Sequence, residues 1–90
     1  MKEKRDKQET AYFGIEKVKK EEAKYILKKV YEALKEKGYN PVSQLTGYIL
    51  SGDPTYITSH KNARAIVTRV EKDELLEVLV ENYFEILEQN

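Results

Sequence analysis

The sequence predicts an all-α fold, a compact bundle of about four to five helices with helix-turn-helix-like elements, on three observations. Apolar residues recur at helical spacing in four separate stretches. Both prolines and three of the four glycines fall between Gly38 and Pro54, where they read as sharp turns around one short helix. The last stretch is apolar around more of its circumference than one chain of this size covers, which predicts a homodimer. The expected division is residues 1–17 as a mobile N-terminal tail and residues 18–90 as a helical dimerisation core.

Residues 1–8 are almost wholly charged or polar. They offer too little apolar surface to offset the entropy of ordering, so a mobile segment is expected. Tyr12, Phe13 and Ile15 follow, and two readings stand open: they fold back on the core, or they form a small adhesive motif on a loose tail. A helix is expected from about Lys19 to Lys37, with Ala23, Leu27, Val30 and Leu34 on one stripe and Ile26 and Ala33 widening it. Lys28, Lys29, Lys35 and Lys37 alternate with Glu32 and Glu36 elsewhere on this helix and read as a solvated face. Gly38 stands where a left-handed residue ends a helix.

Asn40 and Pro41 then restart the chain as N-cap and first helical residue. Val42, Leu45, Ile49 and Leu50 give the next stripe. Gly47 lies inside it, which predicts a tight helix–helix crossing there. Gly52, Asp53 and Pro54 repeat the stop-and-restart. A short turn over 55–58 leads to a helix carrying Ala63, Ile66, Val67 and Val70, capped by Thr58 or Ser59, with a kink expected near Asp73. In the final helix, at ~100° per residue, the apolar residues cover about half the circumference, leaving Glu74, Glu77, Glu81, Glu85 and Glu88 as an acidic ridge. A monomer's surface helix carries a stripe of little more than ~100°, so Leu76, Val80, Tyr83, Phe84 and Leu87 are the candidate dimer-interface residues.

Composition narrows function. Sixteen basic and sixteen acidic residues cancel, so the basic excess of a dedicated nucleic-acid binder is missing. The chain has no cysteine, hence no disulfide framework and no thiol nucleophile. The basic start is followed by no apolar run of a secretory signal, and no stretch approaches a membrane span, so a cytoplasmic protein without membrane insertion is expected. His60 is the sole histidine and reads as a capping or exposed residue beside Lys61, with no second ligand for a metal or triad. No phosphate-loop spacing occurs among the glycines. No cofactor, metal site or enzymatic activity is expected.

The alternative is a helix-turn-helix-like DNA binder using His60, Lys61, Asn62, Arg64 and Arg69. The long connection between Ser51 and Ser59, the acidic last helix and the neutral balance weigh against it. Thr10 offers a third chemistry, a hydroxyl beside Glu9 and ahead of two aromatics. Phosphate there adds about −1.5 to −2 charges to a lysine-rich stretch.

The run GYNP at 38–41, GY followed by LSGDP between Gly47 and Pro54, and HKNAR at 60–64 together resemble the IreB family of small regulatory phosphoproteins of Gram-positive bacteria. The resemblance extends from about Glu9 to Phe84. It implies a cytoplasmic, helical homodimer without enzymatic activity, acted on by a transmembrane Ser/Thr kinase that senses envelope stress and by an opposing phosphatase. It also implies a downstream protein partner, unidentified by the sequence, and a part in intrinsic cephalosporin resistance. The family's phosphoacceptors follow a T-x-x-T pattern before an aromatic segment. Thr10 matches the second threonine; Lys7 stands at the first, so a single acceptor is carried over.

Overall fold

Helix α1 (Lys2–Glu36) is the spine on which the other elements pack. The computed structural model describes the backbone of residues 2–89 and the side chains of residue 14 and residues 16–89. Ala23, Ile26, Val30, Ala33 and Leu34 form its inner face, each at most 1% exposed. Leu27 sits on the shoulder of that stripe, partly buried. The helix starts at Lys2 and not near Lys19. About half of the stretch before Lys19 is Lys, Glu, Gln or Ala, which favour helix without any apolar stripe. Once the packed part is formed, each further residue adds a hydrogen bond without a new nucleus.

The end of α1 is as expected. Gly38 has φ 81°. Its N–H donates to the Lys35 carbonyl at 3.0 Å and that of Tyr39 to Leu34 at 2.9 Å, the paired bonds of a Schellman motif. Helix α2 (Pro41–Ser51) then starts from Asn40, whose side-chain oxygen accepts the Ser43 N–H at 3.1 Å. It stops at Gly52, φ 74°, whose N–H donates to the Tyr48 carbonyl at 2.7 Å. Asp53 caps the following 3-10 turn, Pro54–Tyr56, through the Thr55 N–H at 3.0 Å and hydroxyl at 2.7 Å.

Gly47 meets an aromatic ring, not a second helix. A Cβ there would lie 2.8 Å from Tyr56 Cζ and closer still to two other ring carbons. Glycine lets the ring of the next turn lie close against the helix, and Gln44 Nε2 holds that turn by donating to the Tyr56 carbonyl at 2.8 Å.

A second 3-10 turn, His60–Asn62, runs into the short helix α3 (Ala63–Val67). Ile57, between the two turns, is completely buried with Val67 and Leu75. The break before the last helix falls at residues 68–71, ahead of Asp73. Helix α4 (Lys72–Gln89) opens with the Glu74 and Leu75 N–H groups donating to the Glu71 carbonyl at 3.1 and 3.2 Å. Asp73 therefore lies in the first turn, where a carboxylate suits the positive end of the helix dipole. Leu75 and Val78 pack into the core, and Lys20 Nζ ties α1 to α4 through Glu81 at 2.9 Å. Every regular element among the described residues is helical, and none is long and apolar enough to cross a membrane.

Two consequences are measurable by urea unfolding. Asn40→Ala removes the α2 cap and lowers stability by about 1 kcal/mol. Gly47→Ala displaces the Tyr56 ring and is unfavourable in the natural chain. In a Tyr56→Ala background the same change is stabilising by up to ~1 kcal/mol, since only helix propensity remains.

Candidate functional site

The feature that dominates the surface is the uncovered side of α4. Leu75 and Val78 are buried, whereas Leu76, Val80, Tyr83, Phe84 and Leu87 are 42–58% exposed. All five predicted interface residues therefore share one outward apolar arc, which continues through Leu79. Tyr83 and Phe84 stand side by side, ring centroids 6.4 Å apart. The residues of the acidic ridge, Glu77, Glu81, Glu85 and Glu88, border this arc at ~100° per residue. Contiguous apolar surface of this kind marks an interaction site.

A second feature joins the end of α1 to the HKNAR stretch. Glu36 meets two side chains: Lys61 Nζ at 2.8 Å and His60 Nε2 at 3.0 Å. The backbone that brings them together is unusual. Lys61 (φ 52°) and Asn62 (φ 65°) are both left-handed although neither is glycine. Asn tolerates this conformation through its short polar side chain; Lys does so at a conformational cost of roughly 1 kcal/mol. The pattern of turn residues gave no sign of this bend, because its usual glycine is missing. His60 is thus a hydrogen-bonding partner of α1, and its backbone N–H is capped by Thr58 Oγ1 at 3.2 Å.

The other basic groups of the DNA-binding alternative are engaged as well. Arg69 pairs with Glu22 at 3.1 Å, and Arg64 Nε donates to the Ile57 carbonyl at 2.8 Å. With α3 only five residues long, the HKNAR stretch forms no long basic recognition helix among the described residues. No group of three or more His, Cys, Asp or Glu side chains capable of holding a metal occurs among the described residues.

Thr10 lies within the span of α1; its side chain, with those of Tyr12, Phe13 and Ile15, is outside the described residues. Gly14 is described. It is exposed, and a Cβ added there would meet nothing within 4 Å.

The carboxylates titrate in opposite senses. Glu36 is lowered, chiefly by the Lys61 hydrogen bond and then by His60. Asp53 is lowered by the Thr55 hydroxyl and N–H. Glu74 is raised by burial, with Glu16 and Glu77 adding to it. Its Oε2 is buried with no hydrogen-bond partner among the described residues.

Comparison with known proteins gives this surface its context. A family model described as IreB regulatory phosphoprotein matches residues 8–85. The chain belongs to the IreB family. A UPF0297 protein of Ruminiclostridium cellulolyticum is 61% identical over 77 residues, 86% of this chain and 88% of its own. One from Acetivibrio thermocellus is 58% identical over 77 residues, 86% of each chain. The IreB match takes in Thr10, the turns at 38–54, HKNAR and nearly all of α4.

The pKa directions set a pH dependence. A carboxylate lowered on folding stabilises the fold above its unfolded pKa, and that contribution is lost as pH falls through the folded value. A raised carboxylate acts in reverse: stability falls as pH rises from the ordinary value through the raised one. Glu36→Gln is therefore expected to flatten the acid side of a Tm-against-pH curve. Glu74→Gln removes a loss on the neutral side and leaves Tm near pH 7 equal or higher. Thermal melts followed by circular dichroism from about pH 3 to pH 8 check both.

Proposed function

We propose that this IreB-family chain is a non-enzymatic, cytoplasmic regulatory phosphoprotein that works as a homodimer and is phosphorylated on Thr10. The enzymes acting on it are a transmembrane Ser/Thr kinase and its opposing phosphatase, in control of the envelope-stress response and cephalosporin resistance. The observation that carries this reading is the family match over residues 8–85, which includes Thr10. The α4 arc supports the pairing, since seven of its large apolar residues stay exposed in one protomer: Leu76, Leu79, Val80, Tyr83, Phe84, Ile86 and Leu87.

The kinase step makes a demand on α1. An acceptor hydroxyl is presented to a kinase in an extended segment, so the first turns of α1 must open around Thr10. Gly14 supplies the weak point. It occupies a helix interior, has no positive φ, and no neighbour needs its missing Cβ. What remains is its effect on the helix, about 1 kcal/mol less favourable than alanine. It stands between Thr10 and the packed part of the spine, which begins near Lys20 and Ala23. Opening of the terminal turns up to Gly14 exposes Thr10 and leaves the core untouched. Phosphate then places about −1.5 to −2 charges among Lys2, Lys4, Arg5, Lys7 and Lys17.

Incubation with the kinase and ATP, followed by mass spectrometry, tests the acceptor. Phosphate is expected at Thr10 and is lost in Thr10→Ala; phosphate only elsewhere contradicts the assignment. Gly14→Ala is expected to slow Thr10 modification several-fold while the Tm of the core is unchanged.

A further inference from the structure

The apolar face of α4 continues into a trough of about 430 Å³ between α1, α2 and α4, and Leu27, Leu34, Leu45 and Leu79 are among the residues that line it. Its rim is not neutral. Lys28, Tyr31 and Lys35 stand along the α1 side of the trough. At ~100° per residue they share one line of the helix with Lys24, which borders the adjoining recess beside Leu79 and Tyr83. Lys28 and Lys35 have no carboxylate partner among the described residues. The opposite wall cannot supply one. From Gly38 to Gly52 the chain carries no charged residue, although 36% of the whole is charged. Val42 on that wall is 75% exposed.

An apolar trough with two unpaired ammonium groups along one side fits an amphipathic helix whose apolar arc is bordered by carboxylates. The chain contains one such helix. Phe84 and Leu87 are 56% and 51% exposed, and Glu85 and Glu88 beside them take part in no ion pair with the described residues. Within one protomer the two features do not meet. The Glu77–Glu81 edge of α4 turns towards Lys20, on the other side of the α1–α4 contact from Lys28 and Lys35.

We infer that the trough is the docking site for α4 of a second copy, with the partner's glutamates seated on Lys28 and Lys35. Phe84 and Leu87 of each copy enter the trough of the other, so the contact is made twice about a two-fold axis and closes. This assignment rests on the self-pairing proposed above and adds the residues that select the partner. Lys28 and Lys35, which read from sequence as a solvated face, become determinants of pairing.

The full chain tests it by sedimentation velocity across a concentration series at low salt, with circular dichroism confirming that each variant keeps its helix content. Lys28→Glu/Lys35→Glu and Glu85→Lys/Glu88→Lys are each expected to weaken self-association roughly tenfold or more, because like charges then face each other at both contacts. An equimolar mixture of the two variants is expected to regain a dimer of natural affinity, since every contact in the mixed dimer again pairs opposite charges. A natural chain that dimerises while both variants match it, or while the mixture stays monomeric, overturns the docking assignment and leaves the self-pairing standing. A natural chain that is itself monomeric overturns both.

Discussion

One chain of this size cannot cover its own last helix. The buried core comes from the α1 stripe and from one or two residues of each element and link laid across it: Tyr48, Ile57, Ala63, Val67, Val70, Leu75 and Val78. A domain this small buries only about 60–65% of its unfolded surface. Here the shortfall is concentrated. From Leu79 onward no side chain of α4 is buried, although that half of the helix carries six large apolar groups: Leu79, Val80, Tyr83, Phe84, Ile86 and Leu87. The inward side of α4 is committed to the protomer, and its outward side is left exposed.

The same economy explains how the molecule separates its tasks. The turns that position α2 and α3 are built from local hydrogen bonds at Gly38, Asn40, Gly52 and Asp53, and they need nothing from a partner. The Glu36 contacts with Lys61 and His60 anchor the HKNAR bend to the end of α1. They sit at the surface, where such pairs add little to stability, and their use is to fix a strained bend. The acceptor we propose, Thr10, lies at the other end of the spine, beyond Gly14. In the proposed function a long helix joins the acceptor to the pairing surface, with its packed middle between them.

Much of the local structure was legible in the residues. Asn-Pro and Asp-Pro announce caps because their side chains and fixed φ are useful nowhere else so cheaply. Gly38 and Gly52 announce stops because only glycine takes a left-handed φ freely. The α1 stripe was readable from its period. What escaped were features without a periodic or turn signal. Ile57 is buried in a stretch that is not helical, so no period singles it out. Lys61 and Asn62 bend backwards without glycine. Gly47 gave the correct hint of close approach, but an aromatic ring from the next turn was the neighbour. The early start of α1 escaped because propensity, not amphipathicity, carries it. The break before α4 came a few residues early because a backbone carbonyl, that of Glu71, starts the helix, and carbonyls leave no mark in a sequence. For the candidate site, the α4 arc was evident from its width. The lysines along the trough were not, since only the fold shows that α2 opposite them is uncharged.

Sedimentation equilibrium of the natural chain at micromolar concentration tests the central claim most directly, because it weighs the particle without reference to any residue. The account predicts twice the 10.5 kDa chain mass, dissociating only on strong dilution. A mass of one chain persisting at tens of micromolar would contradict it, for the outer half of α4 would then be stable in water on its own.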